Sequence, residues 1–175
     1  MNEENEIIEE EVVEDTAVVS SIIRTTKPKP LPEVVVLPTG DGVTIGRPVP
    51  RQFWRDITCD FQCHKDRTPP SGTPGIDYAC PVGTQITAGH TGRVVVANGT
   101  DNGSKGKYVV VRFRANGKVW EIEYLHLSKV KVRVGQTVSK DSEIGRSGNT
   151  GSSTGPHLHW SVRRDGKLVD PKRYI

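Results

Sequence analysis

Apolar and polar positions alternate near the end of the chain. In "HLHWSVRR", Leu158, Trp160 and Val162 fall on one side of an extended segment, and His157, His159, Ser161 and Arg163 on the other. The first side is built for a core and the second for a groove or for solvent. Asp165-Gly166 follows, then KLV, a strong signal for a two-residue hairpin. Further extended runs are GIDYA, TQITA, GRVVVA, YVVVRFR and KVWEIEYLHL, the last two joined by Asn116-Gly117 as a second hairpin. In KVWEIEYLHL, uninterrupted alternation puts Trp120, Ile122, Tyr124 and His126 on one face, so a core and a groove position for His126 both stay open.

Residues 1–40 break this pattern. Ile8, Val12, Val19 and Ile22/Ile23 space out as a helical seam, weakened by β-branched content. "KPKPLPEVVVLP" then enforces extended backbone. The expected organisation is an N-terminal docking arm or linker over 1–40, extended or helical, and one domain over 41–175. A plain flexible leader and an arm that orders on a partner are both compatible with this composition.

The 175 residues suffice for one sizeable domain, and 18 glycines and 12 prolines with few helix-period runs favour an all-β class. No apolar run approaches the length of a membrane span, and the acidic start does not resemble a secretory signal. Eight of the acids lie in residues 1–15, so residues 16–175 carry 24 bases against 13 acids, a net +11 before histidines. Such a body attracts polyanions. Nucleic acid is one candidate, without a basic helix or aromatic RNA-binding motif to go with it, and an anionic cell wall is another. Cys59, Cys63 and Cys80 are an odd set without a CxxC pair, which argues against a full disulfide framework and against a zinc ribbon.

The candidate chemistry lies in "GRSGNTGSSTGPHLHW", where His157 and His159 stand about 7 Å apart on one face of a strand. Two imidazoles so placed can act on one metal-bound substrate; a pair of solvated surface histidines is the plain alternative.

Taken together, "PGIDYACPVGTQITAGHTGRVVVA" and "YLHLSKVKVRVGQTVSKDSEIGRSGNTGSSTGPHLHW" resemble the lysostaphin-type zinc endopeptidases, a family that includes glycyl-glycine endopeptidases and phage-encoded relatives. The resemblance runs from about residue 60 to the end. It implies a compact antiparallel β-sheet or sandwich with a narrow groove holding one Zn²⁺, and hydrolysis of peptide bonds in peptidoglycan stems or cross-bridges. It places Asp77 and His159 as zinc ligands and His126 and His157 as the unmetallated catalytic histidines. A glycine-rich loop from Gly148 to Gly155 would let substrate backbone come close.

One position departs from the family pattern. HxGxD is replaced by Thr73-Pro74-Gly75-Ile76-Asp77, and threonine is a poor zinc ligand. Either the domain is a degenerate binding module without metal, or another residue supplies the third ligand. His90 reads as a surface turn residue. His64, thirteen residues before Asp77 across a Pro/Gly loop, resembles the histidine of phage-borne relatives carrying His-x-x-Arg-x-Pro-Pro-Ser-x-x-Pro-Gly-x-Asp-Tyr, and is the expected third ligand; Asp66 and Cys63 are lesser candidates. A Cys63–Cys80 disulfide and a set of free buried thiols stay open. The resulting expectation is a zinc endopeptidase acting on peptidoglycan, with a catalytically inactive wall-binding or structural virion module of the same fold as the alternative. The expected setting is a phage tail, with the arm docked on a virion protein, or release onto the host wall, without nucleic-acid partner or membrane span.

Overall fold

Two left-handed turns fix the hairpins that dominate the architecture. A computed structural model describes residues 42–67 and 72–175. Asn116 and Gly117 have φ of 50° and 70°, and Asp165 and Gly166 have 48° and 78°. Positive φ at both central residues matches the twist of the flanking strands, which is why these dipeptides were selected there. Strands β1 (Ile57–Cys59), β2 (Ile76–Ala79), β3 (Gln85–Thr87), β4 (Gly92–Asn98), β5 (Lys107–Ala115) and β6 (Lys118–Leu127) are followed by β7 (Lys129–Val130), β8 (Thr137–Val138), β9 (Glu143–Arg146), β10 (His157–Arg164) and β11 (Lys167–Val169). Helix α1 (Phe61–Asp66) and two 3₁₀ turns complete the described residues.

The main antiparallel sheet runs β1-β2-β10-β6-β5-β4-β8, with β11 paired to β10; a small sheet runs β3-β9-β7. The all-β expectation holds, with one short helix beside it. Leu158, Trp160 and Val162 of β10 pack with Trp120, Ile122 and Tyr124 of β6, Val109 and Val111 of β5 and Ile86 and Ile144 of the small sheet, all fully buried or nearly so. Tyr124 is tied down by its hydroxyl, which accepts a 2.8 Å hydrogen bond from the Gly89 amide. The opposite face of β10 carries His157, His159, Ser161 and Arg163, as the alternation requires.

β6 departs from simple alternation at its end. Lys107 opposes Leu127 while Val109 opposes Tyr124, so β6 holds one more residue than β5 across this step. His126 takes φ +61° there. This bulge returns Leu127 to the core and leaves Leu125 and His126 both lining a groove. The extrapolated face shared by Trp120, Ile122, Tyr124 and His126 is therefore corrected at its last member.

Two other expectations are corrected. His90 is buried, not a surface turn residue: its ring stacks on Phe113 with centroids 3.8 Å apart, and its Nδ1 pairs with the Thr91 carbonyl. An imidazole whose polar edge is satisfied locally covers an aromatic ring as an apolar plate would. Among the cysteines, Cys59 bonds to Cys63 and Cys80 is a buried free thiol. Neither a Cys63–Cys80 bridge nor a wholly reduced set is present. The arm expected over 1–40 lies outside the described residues. Among the described residues, no helix is long and apolar enough to cross a membrane.

Candidate functional site

Antiparallel pairing of β2 with β10 sets Asp77 directly opposite His159, and pairing of β10 with β6 sets His159 opposite Leu125. His159 Nδ1 lies 2.7 Å from Asp77 Oδ1. Both side chains are buried, so the contact is sheltered from water. Gly75 makes the ring's position available: a Cβ there would lie 2.5 Å from the Trp160 carbonyl oxygen and 2.9 Å from His159 Nε2.

His64 arrives from α1, outside the main sheet. Asp60 caps this helix, its carboxylate accepting from the Cys63 amide at 2.9 Å. That hydrogen bond, followed by the ammonium of Lys172, holds the Asp60 carboxyl below its ordinary range. A six-residue helix is too short to persist on its own. The cap and the Cys59–Cys63 disulfide anchor its first turn. His64 then presents Nε2 to Asp77 Oδ2 at 3.2 Å, while its Nδ1 donates to the Asp60 carbonyl at 2.8 Å. The structure thus brings His64, Asp77 and His159 together. Asp66 instead accepts from Gln62 on an exposed face, Cys63 is spent in the disulfide, and Thr73 lies on the groove wall.

His126 and His157 face the same groove, with ring centroids 4.8 Å apart. His126 Nδ1 donates to the Thr150 carbonyl at 2.8 Å, and His157 Nδ1 to the Gly155 carbonyl at 2.7 Å. The tautomers are assigned from these partners. Three of the four rings thus carry the proton on Nδ1 and leave an Nε2 lone pair for the site. His157 Nε2 is 3.8 Å from Asp77 Oδ1.

The charges follow from these contacts. Burial alone would raise the Asp77 carboxyl, but the His159 and His64 imidazoles set against its two oxygens outweigh it and hold the group well below the carboxylate range. Burial lowers His64, yet the Asp77 carboxylate and the Asp60 carbonyl raise it overall. Burial dominates at His126, pushing it down to about 4, so that ring is neutral near pH 7.

Whether a metal suits these residues is decided by lone pairs. With Nδ1–H of His64 given to Asp60, its neutral ring points an Nε2 lone pair at a carboxylate oxygen. Two lone pairs facing each other in a buried site call for a cation between them, either a proton or a metal. Two imidazoles and a carboxylate are a donor set zinc accepts, and His64 has the backbone-anchored second nitrogen usual for such ligands. The Cys59 sulfur also comes within 4.8 Å of ligand atoms of His64 and Asp77, but its bond to Cys63 leaves it no thiolate to offer.

The groove, about 270 Å³, is walled by Arg67, Thr73, Ser104, Lys105 and residues 152–154. Arg67 Nη2 stands 3.5 Å from Asp77 Oδ2. Sequence reasoning missed this guanidinium, and also a cluster centred on the buried Glu123, one member of which, Lys105, lines the groove. There Glu123 accepts from Ser161 at 3.2 Å and pairs with Lys105 and Arg163 at 3.2 and 3.1 Å. Alternation on β6 and β10 was the available signal, since Glu123 and Ser161 are cross-strand neighbours. The glycine-rich loop serves differently from expectation. A Cβ at Gly148 would strike the Ser128 amide at 2.4 Å, and one at Gly151 would strike the backbone of Gly106. These two glycines allow the loop to lie against its own protein; Gly155 alone of the loop's three has open space at its Cβ.

Comparison with known proteins places these residues in a lineage. The model of peptidase family M23 matches residues 71–171. Peptidoglycan DD-endopeptidase ShyA of Vibrio cholerae is 42% identical over 96 residues, 55% of this chain and 21% of its own. Glycyl-glycine endopeptidase ALE-1 of Staphylococcus capitis is 40% identical over 86 residues, 49% of this chain and 23% of its own. The chain thus spans between a fifth and a quarter of the length of these relatives. Among solved structures, a zinc-containing peptidase from Vibrio cholerae superposes with a TM-score of 0.64 at 30% identity, covering 76% of this chain and 44% of that one.

Proposed function

The chain belongs to peptidase family M23, and from that premise we propose that it is a zinc endopeptidase that hydrolyses peptide bonds of bacterial peptidoglycan. The observation that carries the reading is the convergence of His64, Asp77 and His159 from three separate elements on one buried point, with two further imidazoles beside it. His64 through Nε2, Asp77 through its carboxylate and His159 through Nδ1 would hold Zn²⁺. When bound, zinc lowers the pKa of a water and polarises the scissile carbonyl.

The remaining chemistry belongs to side chains of this chain. His126 is neutral at working pH, and with Nδ1–H fixed on Thr150 its Nε2 is the acceptor for the proton of the attacking water. A proton held there is weakly bound and passes readily to the leaving amine. His157, across a 4.8 Å centroid gap, faces the reacting carbonyl through Nε2, which would take a proton from solvent and donate it as a hydrogen bond to the developing oxyanion while Nδ1–H stays on the Gly155 carbonyl. The half-exposed Arg67 neighbours Asp77 and faces the groove, a position suited to a substrate carboxylate.

Support for the wall as substrate comes from the relatives, whose names specify peptidoglycan and glycyl-glycine endopeptidases. The basic body suits an anionic polymer. A phage-tail setting with arm-mediated docking belongs to the same proposal; the docking rests on the composition of residues 1–40, and the phage setting on the resemblance of the stretch from His64 to Tyr78 to phage-borne relatives. The test is release of soluble peptides from purified peptidoglycan by the full chain. Hydrolysis abolished by a chelator and restored by Zn²⁺ is the expected result. A chain that binds the wall and cleaves nothing under zinc-replete conditions would favour the inactive-module reading instead.

A further inference from the structure

The disulfide beside the candidate metal ligands is asymmetric. Cys59 ends β1 and is buried, whereas Cys63 sits exposed on α1, one residue before His64. The buried sulfur faces the site, within 4.8 Å of ligand atoms of both His64 and Asp77. The exposed sulfur faces the reach of a reductant. As a disulfide, Cys59 is neutral and is not the thiolate that ligates zinc. The donor set is then His64, Asp77 and His159, which leaves the open fourth position that catalytic zinc requires. Reduction changes that count. A free Cys59 sulfur is a stronger zinc ligand than water, and four protein ligands make a closed, structural type of site.

We propose that Cys59 is a switchable metal ligand: bonded to Cys63 it leaves the site open for hydrolysis, and when reduced it occupies the fourth position and closes it. This inference rests on the metal reading above. The step balances as thiol–disulfide exchange with a dithiol. One thiolate of the dithiol attacks the exposed Cys63 sulfur, and Cys59 leaves as the thiolate. The second thiol of the reductant then resolves the mixed disulfide. Cys63 is released as a thiol and the reductant ends as its own cyclic disulfide. The Cys59 sulfur binds the metal, and the proton a free thiol would hold passes to solvent. Hydrolysis is thereby confined to oxidising surroundings, where the wall lies, and suppressed where dithiols keep cysteines reduced.

Cobalt substitution tests this, because a thiolate on Co²⁺ gives a near-ultraviolet charge-transfer band that imidazole and carboxylate ligands do not. The full chain is loaded with Co²⁺ oxidised, and again after a phosphine reductant. The phosphine becomes its oxide with oxygen from water and leaves two thiols. Cys63→Ser, which frees Cys59 permanently, and the double variant C59S/C63S are measured alongside. One Co²⁺ per oxidised chain without the band is expected. Reduction, or Cys63→Ser, should add the band at unchanged stoichiometry, with loss of wall hydrolysis that reoxidation restores only in the wild type. C59S/C63S should show no band under any condition. Retained metal without a band after reduction, or release of metal, overturns the switch while leaving the metal site standing. Failure of the oxidised chain to bind Co²⁺ overturns both. If the double variant does not fold, the oxidised and reduced wild-type spectra still decide the matter.

Discussion

His64 Nε2 stands 3.2 Å from Asp77 Oδ2, although the two residues belong to a short helix and to a strand of the main sheet. The carboxylate is held from its other side by His159 at 2.7 Å. A threonine at position 73 therefore does not leave the cluster with two members, because the missing imidazole enters from another stretch of backbone.

Replacing His64 with Ala should lower zinc content of the full chain and abolish most hydrolysis. The loss should exceed the roughly 10–100-fold typical of removing an outer-shell partner. Metal analysis after dialysis checks this directly. A zinc content equal to wild type would remove His64 from the ligand set.

His126→Ala and His157→Ala should each keep one zinc per chain and lose about 10²–10⁴-fold in hydrolysis, the usual worth of a general acid or base. Metal stoichiometry and peptide release, measured on the same preparations, separate this from ligand loss. Full activity in either variant would cancel the role given to that ring.

Gly75→Ala should strain the site from behind. Its Cβ would meet the Trp160 backbone and the His159 ring, neither of which can retreat from a packed sheet. A loss of about 1–3 kcal/mol is expected, as for other overpacked positions. Urea denaturation at fixed pH measures it; an unchanged midpoint would show that the sheet relaxes there.

His90 should make the fold acid-sensitive. Burial keeps its pKa below the ordinary 6.5, against a smaller opposing effect of the Thr91 carbonyl. The unfolded chain takes up a proton below that value while the folded chain refuses it. The contribution is thus complete above about pH 6.5 and is lost as pH falls toward the lowered folded value. His90→Phe, which retains a ring for Phe113, should flatten the fall of the urea midpoint with pH in that window. An identical pH profile in the variant would refute the assignment.

The sequence was readable where one physical rule acted alone. β10 and β6 have the expected limits because period-2 alternation and two Xaa-Gly turns specify them without help. Where two rules compete, the reading failed. His126 continues an alternating run, but a one-residue bulge overrides the alternation there. His90 is polar by composition, but its Nδ1 is satisfied by the next carbonyl and its ring behaves as an apolar plate. Helix α1 is too short for any periodicity and exists through its Asp60 cap and disulfide, neither of which has a pattern of its own. The pairing of Cys59 with Cys63 was hidden for the same reason, because it depends on that helix being formed.

His64, His126 and His157 each give their Nδ1 proton to a main-chain carbonyl, those of Asp60, Thr150 and Gly155. Every residue possesses a carbonyl, so the proton's location on each ring is written in the path of the chain and not in the alphabet of its side chains. Drift in the lettering of these loops can retune how substrate is gripped while the protonation pattern passes unaltered from one descendant to the next. What would erase it is an insertion or deletion that shifts one of those three carbonyls, and the lengths of the loops, more than their wording, are what inheritance has to protect.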